Sequence, residues 1–248
     1  MSGRARDALE SAEVIVGYGP YVDLIRPLVS GREIVSTGMT KEVDRVTAAI
    51  EAARAGRTVA LISSGDPGIY AMAGLALEIC VARKFTVAPL RAAAGKAHGD
   101  EKTLFIEVVP GIPALCAGAA LLGAPLMHDF AAISLSDLLT PWEVIEKRLH
   151  AAAGADFVIV IYNPKSKKRD WQLNKAQKII LNYRGPETPV GIVTSAMRPD
   201  QRIAVTTLEL LHHAEVNMQT TVFIGNAASG CYGDFLYTRR GYEGKYAL

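Results

Sequence analysis

The sequence predicts an α/β protein of two consecutive αβα domains. Three observations carry this. In the first half, short apolar runs of strand character alternate with stretches of helical period, the order expected of parallel βα units. In the second half the alternation continues, but strands crowd together near the end, which suggests some antiparallel pairing. Between the halves, Gly123-Ala-Pro-Leu-Met-His-Asp-Phe130 is a turn-rich connection, so the domains are set at residues 1–126 and 127–248.

From the start, Arg4 to Ala12 reads as a short helix and Glu13 to Tyr18 as a strand entering the loop Gly17-Tyr-Gly-Pro-Tyr21. Val22 to Val29 is a short helix and Glu33 to Val35 a strand. Thr40 is expected to cap a helix running to about Ala55, with Val43, Val46, Ile50 and Ala53 at helical spacing. Gly56 stops it as a C′ glycine. Val59 to Ile62 reads as a buried parallel strand. It ends in Ser63-Ser-Gly-Asp-Pro-Gly-Ile-Tyr70, and a helix from about Gly68 to Ala82 follows, with Pro67 suited to its first turn. Pro89 to Lys102 carries no periodicity and reads as an exposed loop. Phe105 to Val109 is a strand that breaks into Pro110-Gly-Ile-Pro113 before the helix Ala114 to Leu122.

The second domain begins with a strand over Ala131 to Leu135 and a helix over Pro141 to Ala152, whose Val144, Ile145 and Leu149 face inward. Phe157 to Ile161 is a buried strand ending in Tyr162-Asn-Pro164. The basic loop Lys165 to Arg169, before the amphipathic helix Trp171 to Tyr183, reads as a solvated rim or as a segment that steers a polyanionic substrate. Strands follow at Pro189 to Val193, Ile203 to Thr207 and Thr221 to Ile224, with a short helix over Leu208 to His213.

Composition narrows the function. Across 248 residues half the side chains are hydrophobic, and the formal charge of +2 calls for neither nucleic acid nor an anionic membrane as partner. Cys80, Cys116 and Cys231 are odd in number and far apart, a reduced pattern that points to the cytoplasm; Cys80 and Cys116 read as small core residues. The N-terminus has no apolar signal core, and apolar runs stop well short of the roughly 20 residues that span a bilayer.

No hydrolytic or redox motif is present. Gly17-Tyr-Gly-Pro lacks the third glycine of a dinucleotide fingerprint, and the five histidines form no metal-ligand spacing on a helix face. What remains is a set of strand-end loops rich in small residues, prolines and amides: Ser63 to Tyr70, Pro110 to Ala114, Tyr162 to Pro164, Ser195 to Gln201, and Gly225-Asn226. Strand C-termini are where open α/β sheets hold ligands, and these loops suit binding through backbone and shape. Taken alone, Ser64 to Tyr70 is equally a ligand loop or a plain capped βα turn.

Ser64-Gly-Asp-Pro-Gly-Ile-Tyr70, Val109-Pro-Gly-Ile-Pro-Ala114, His128-Asp-Phe130 with Ile133-Ser-Leu-Ser-Asp137, Tyr162-Asn-Pro164 and Arg198-Pro-Asp-Gln201 occur in this order. Together they resemble the tetrapyrrole (corrin/porphyrin) methylase family over nearly the whole chain. The later blocks are similar to the branch that methylates C17 of precorrin-3B or cobalt-factor III in cobalamin biosynthesis. The resemblance implies two α/β domains with an active-site cleft between them, S-adenosyl-L-methionine as methyl donor, a tetrapyrrole substrate and a homodimer. It implies cofactor contacts at Ser64, Gly65, Asp66, Ile69, Tyr70, Pro113, Ala114, Tyr162, Asn163, Ala196 and Thr221. It implies a tetrapyrrole border of Tyr18, Tyr21, Ser134, Ser136, Asp137 and Arg198. His128, with Asp129 or Asp137, is the expected proton-transfer group. Its plain alternative is a capping or core histidine.

The chain departs from the family in three places. Members begin with a strand and a GxGPG loop before the helix corresponding to Arg4 to Ala12; here that strand is missing, and its loss is expected to expose Val14 to Val16 and Val59 to Ile62. Pro113 stands where a hydroxyl residue is common, and the Pro89 to Lys102 loop is longer than usual. Two alternatives stay open: a catalytically silent protein that binds S-adenosylmethionine or tetrapyrrole, and a family methyltransferase for another precorrin.

Overall fold

The computed structural model describes residues 1–92, 103–166 and 169–247. Most of the segment read as the long loop, and two residues of the basic run, lie outside the described residues. The chain divides into two compact units, Met1–Pro113 and Ala114–Leu248.

Unit 1 alternates helix and strand in the expected order. It contains α1 (Gly3–Ser11), β1 (Val14–Tyr18), α2 (Gly19–Ile25), β2 (Glu33–Thr37), α3 (Glu42–Arg54), β3 (Val59–Leu61), α4 (Met72–Ala82), β4 (Thr86–Pro89) and β5 (Thr103–Ile106). Its strands form two separate parallel sheets, β2-β1-β3 and β4-β5. β4 was not expected from the sequence. Its strand signal in Thr86-Val87-Ala88 is short and ends at a proline.

Several local expectations are corrected here. Val14, Ile15 and Val16 are fully buried, because β2 and β3 flank β1 and helices cover both its faces. Val59 to Ile62 are half-buried instead of buried or bare. Thr40 does not cap α3: it takes a left-handed φ of 63° and its hydroxyl turns to the Met39 carbonyl. Val43 points to solvent at 56% exposure, leaving Val46 and Ile50 to carry the buried stripe. Pro67 precedes α4 by a full turn instead of sitting in it.

Unit 2 contains α5 (Ala114–Leu122), β6 (Gly123–Ala124), β7 (Phe130–Ser134), α6 (Trp142–Gly154), β8 (Val158–Tyr162), α7 (Gln172–Leu181), β9 (Pro189–Thr194), β10 (Arg202–Thr207), β11 (Thr220–Ile224), β12 (Ser229–Tyr232) and β13 (Phe235–Thr238). Five strands form one sheet in the order β10-β9-β11-β8-β7, parallel between β7 and β8 and antiparallel elsewhere. Val158 to Ile161 and Val222 to Ile224 are fully buried. The expected boundary after residue 126 moves to Pro113 because α5 packs on this sheet: a Cβ added at Gly118 would lie 2.7 Å from the Phe223 ring. Ile145 and Leu149 face inward as expected, whereas Val144 is 39% exposed. Cys80 is buried, but Cys116 lies on the open side of α5.

Candidate functional site

In unit 1 the residues of interest gather where β1, β2, β3 and β5 end. The central group is Asp66. Its Oδ1 accepts the Gly68 N–H at 2.8 Å, an Asx turn, and its Oδ2 accepts the Gly111 N–H at 3.0 Å. One carboxylate therefore ties the loop after β3 to the loop after β5. The two loops touch backbone to backbone: a Cβ at Gly111 would sit 1.9 Å from the Gly65 carbonyl oxygen. Gly65 itself takes φ 74°, and Tyr70 takes the left-handed φ of 53° that a β-carbon disfavours. The Ile69 N–H closes the turn on the Asp66 carbonyl at 3.2 Å. Ser64 stands between Ile62 and this turn, and Pro113 ends the second loop.

Beside it, Tyr18 and Tyr21 meet edge to face with ring centres 5.2 Å apart. Arg45, which the sequence reading missed, is buried near the Tyr18 ring. Its guanidinium lies 5.7 Å from the Tyr18 ring centre, and its Nε and Nη2 donate to the Thr37 hydroxyl and the Gly38 carbonyl at 2.8 and 2.9 Å. An arginine one turn before Ala49 on the apolar stripe of α3 was the available signal.

In unit 2 one edge of the sheet collects the ends of β7, β8 and β9 with the start of the antiparallel β11. Asn163, at φ 52°, donates from Nδ2 to the Ser134 hydroxyl at 2.9 Å, and the Ser136 N–H bonds the same oxygen at 3.2 Å. The Tyr162 hydroxyl accepts the Leu115 N–H at 2.9 Å, which brings Ala114 and the start of α5 to the same edge. Ser195, at φ 52°, leads into Ala196, and its hydroxyl donates to Asp200 at 2.7 Å. That bond holds the Asp200 carboxyl below its ordinary range. Thr194 and Thr220 join hydroxyls at 2.7 Å, with Thr221 next in line. Arg198 lies on the loop between Ser195 and Gln201, its backbone N–H bonded to the Ser195 carbonyl.

Asp137 continues this edge. Its Oδ2 accepts from Gln172 Nε2 at 2.9 Å. Arg169, read as part of a solvated rim, is instead only 7% exposed, and burial lowers its pKa while Asp137 raises it.

His128 and Asp129 are not brought to this edge. They precede β7, at the opposite end from Ser134; Phe130 alone is about 13 Å from Ser134 at the rise of a strand. His128 Nδ1 accepts the Asp129 N–H at 2.9 Å, and both side chains line a pocket with Asp156, Arg239 and Arg240.

Comparison with known proteins places the chain in a family. Residues 1–211 match the family described as Tetrapyrrole (Corrin/Porphyrin) Methylases. A cobalt-factor III methyltransferase of Priestia megaterium is 48% identical over 99% of this chain, although the chain spans only 43% of that protein's length. A probable cobalt-factor III C(17)-methyltransferase of Salmonella typhimurium is 44% identical over 98% of this chain and 93% of its own. The crystal structure of the methyltransferase CobJ superposes with TM-score 0.82 at 38% identity, covering 96% of this chain and 93% of that one. The chain belongs to the tetrapyrrole (corrin/porphyrin) methylase family.

Proposed function

We propose that this protein is an S-adenosylmethionine-dependent C-methyltransferase acting at C17 of cobalt-factor III or precorrin-3B, with ring contraction, in cobalamin biosynthesis. The observation that carries the reading is the Asp66 tie, which fixes two glycine-bearing strand-end loops in contact and brings no nucleophile with it. That is what methyl transfer from a sulfonium requires. The donor arrives activated; an electron-rich ring carbon attacks its methyl in line, and the sulfonium leaves as a neutral thioether. The protein's work is proximity and orientation, effects worth up to about 7–11 kcal/mol.

The residues fit such a donor. Ser64, Gly65 and Asp66 offer backbone and hydroxyl groups to its methionine end, with Ile69, Tyr70 and Pro113 alongside. Ala114, Tyr162, Asn163, Ala196 and Thr221 serve the adenosine end. Tyr18, Tyr21, Ser134, Ser136, Asp137 and Arg198 border the tetrapyrrole; an arginine suits its carboxylates. The proton transfers of ring contraction are assigned to no residue of the Ser134–Asn163 edge, since His128 and Asp129 stand at the other end of β7. A homodimer in the cytoplasm completes the reading, supported by the family resemblance and by three free cysteines.

Incubation with cobalt-factor III and labelled S-adenosylmethionine should give a product one methyl heavier, labelled at C17. Binding of both ligands without transfer would sink the enzyme reading. Asp66→Ala should weaken S-adenosylmethionine binding by about tenfold, the scale of one lost charge-assisted hydrogen bond, while circular dichroism stays native.

A further inference from the structure

Two buried polar atoms near the β7–β8 edge have no partner among the described residues: Arg169 Nε and Gln172 Oε1. Both side chains are more than nine-tenths buried, at 7% and 2% exposure. A buried guanidinium without a contacting anion is costly, and a folded chain rarely retains one unless something else meets it. Asp137 does not: Gln172 holds its carboxylate at 2.9 Å, and no ion pair of Arg169 is present among the described residues.

The position of Arg169 is set by the backbone. Ser166 and Arg169 exchange hydrogen bonds, Ser166 N–H to Arg169 carbonyl at 2.7 Å and Arg169 N–H to Ser166 carbonyl at 3.3 Å. Arg169 thus stands between Asn163, which bonds Ser134, and Gln172, at the start of α7. Directly after Asp137, Leu138 and Leu139 are 84% and 98% exposed. A bare apolar pair directly after Asp137, the acid whose charge acts on the buried Arg169, matches an apolar ring that bears carboxylates.

We propose that Arg169, backed by Gln172 and Asp137, binds one side-chain carboxylate of the tetrapyrrole. This rests on the proposed substrate class and adds a residue that sets its affinity. The carboxylate meets the guanidinium side-on, engaging Nε and one Nη, while Gln172 keeps hold of the Asp137 carboxylate.

The test compares Arg169→Met and Arg169→Lys with the unaltered protein, using cobalt-factor III and its full methyl ester as probes. Arg169→Met should raise the tetrapyrrole Kd and KM by about 10- to 100-fold. It should leave S-adenosylmethionine affinity within about twofold and lower kcat less than it raises KM. Arg169→Lys should recover part of the loss, because it restores charge without the fork. The ester should bind the unaltered protein more weakly than the acid, and Arg169→Met should not distinguish the two. Equal binding of acid and ester by the unaltered protein would overturn the proposal. So would a loss of both ligands in step with a lowered Tm, which marks a structural role. Failure of methyl transfer by the unaltered protein, with acid and ester still distinguished through Arg169, would remove the proposed reaction and leave this site standing.

Discussion

The two units hold their strand-end loops in different ways. In unit 2 the strands beneath the loops are locked: Val158 to Ile161 of β8 and all of β11 are buried, and one large core runs from Ile133 to Ile224. In unit 1 the sheet is split, β3 is only half-buried, and the apolar residues fall into smaller clusters. Among the described residues β3 and β5 share no ladder of hydrogen bonds, yet their loops are joined through Asp66 and the Gly65–Gly111 approach. Where strand pairing does not set loop geometry, one carboxylate and one glycine contact do so. Two glycines make the same point. Gly118 in unit 2 is required by an aromatic ring and Gly111 in unit 1 by a carbonyl oxygen. The first contact is apolar packing and the second is a polar tie.

The largest effect should come from the packed unit. Phe223→Ala removes a fully buried ring and should destabilise unit 2 by about 3–5 kcal/mol, read by hydrogen exchange of the β8 and β11 amides. Equal loosening of β1 and β2 would break the distinction between the units. Gly111→Ala should cost about 1–3 kcal/mol, because the facing Gly65 backbone cannot rotate away as a side chain would. Denaturant unfolding checks this, and an unaffected midpoint would remove the close approach from the account.

Asp66→Asn should cost about 1 kcal/mol, since an amide has one acceptor oxygen for two N–H donors. Protection of the Gly111 amide or the Gly68 amide should fall, but not both. The smallest effect is in acid. Hydrogen bonding from Arg4 depresses the Glu107 pKa in unit 1, and Lys175 depresses that of Glu146 in unit 2. A folded pKa below the unfolded value adds stability that is present above the unfolded value and lost as pH falls through the folded one. Glu107→Gln and Glu146→Gln should each flatten the acid limb of the stability curve below about pH 4. An unchanged limb in both would show that these exposed pairs contribute nothing.

Much of this was legible in the sequence. α5 was read at its observed ends, and β1, β7, β8, β9 and β11 were read to within a residue or two, because apolar runs bounded by glycine, proline and polar turns leave few alternatives. The strand-end loops were legible for the same reason. The misses were side-chain directions and distant partners. Thr40, Val43 and Val144 satisfied local rules, but the backbone turned each of them elsewhere. Arg169 looked like one cation in a basic run, and burial is invisible in composition. Asp66 was read as a contact to the methyl donor, and its bond to Gly111 spans 45 positions.

The sequence by itself therefore determined the alternation of elements, the loops at the strand ends and the family, since periodicity, turn chemistry and ordered motifs are local properties. Tertiary structure alone decided that Asp66 joins two loops, that Arg45 and Arg169 are buried, and that His128 stands apart from Ser134 and Asn163. Each of these depends on which distant backbone comes within hydrogen-bonding distance, and no spacing along the chain specifies that.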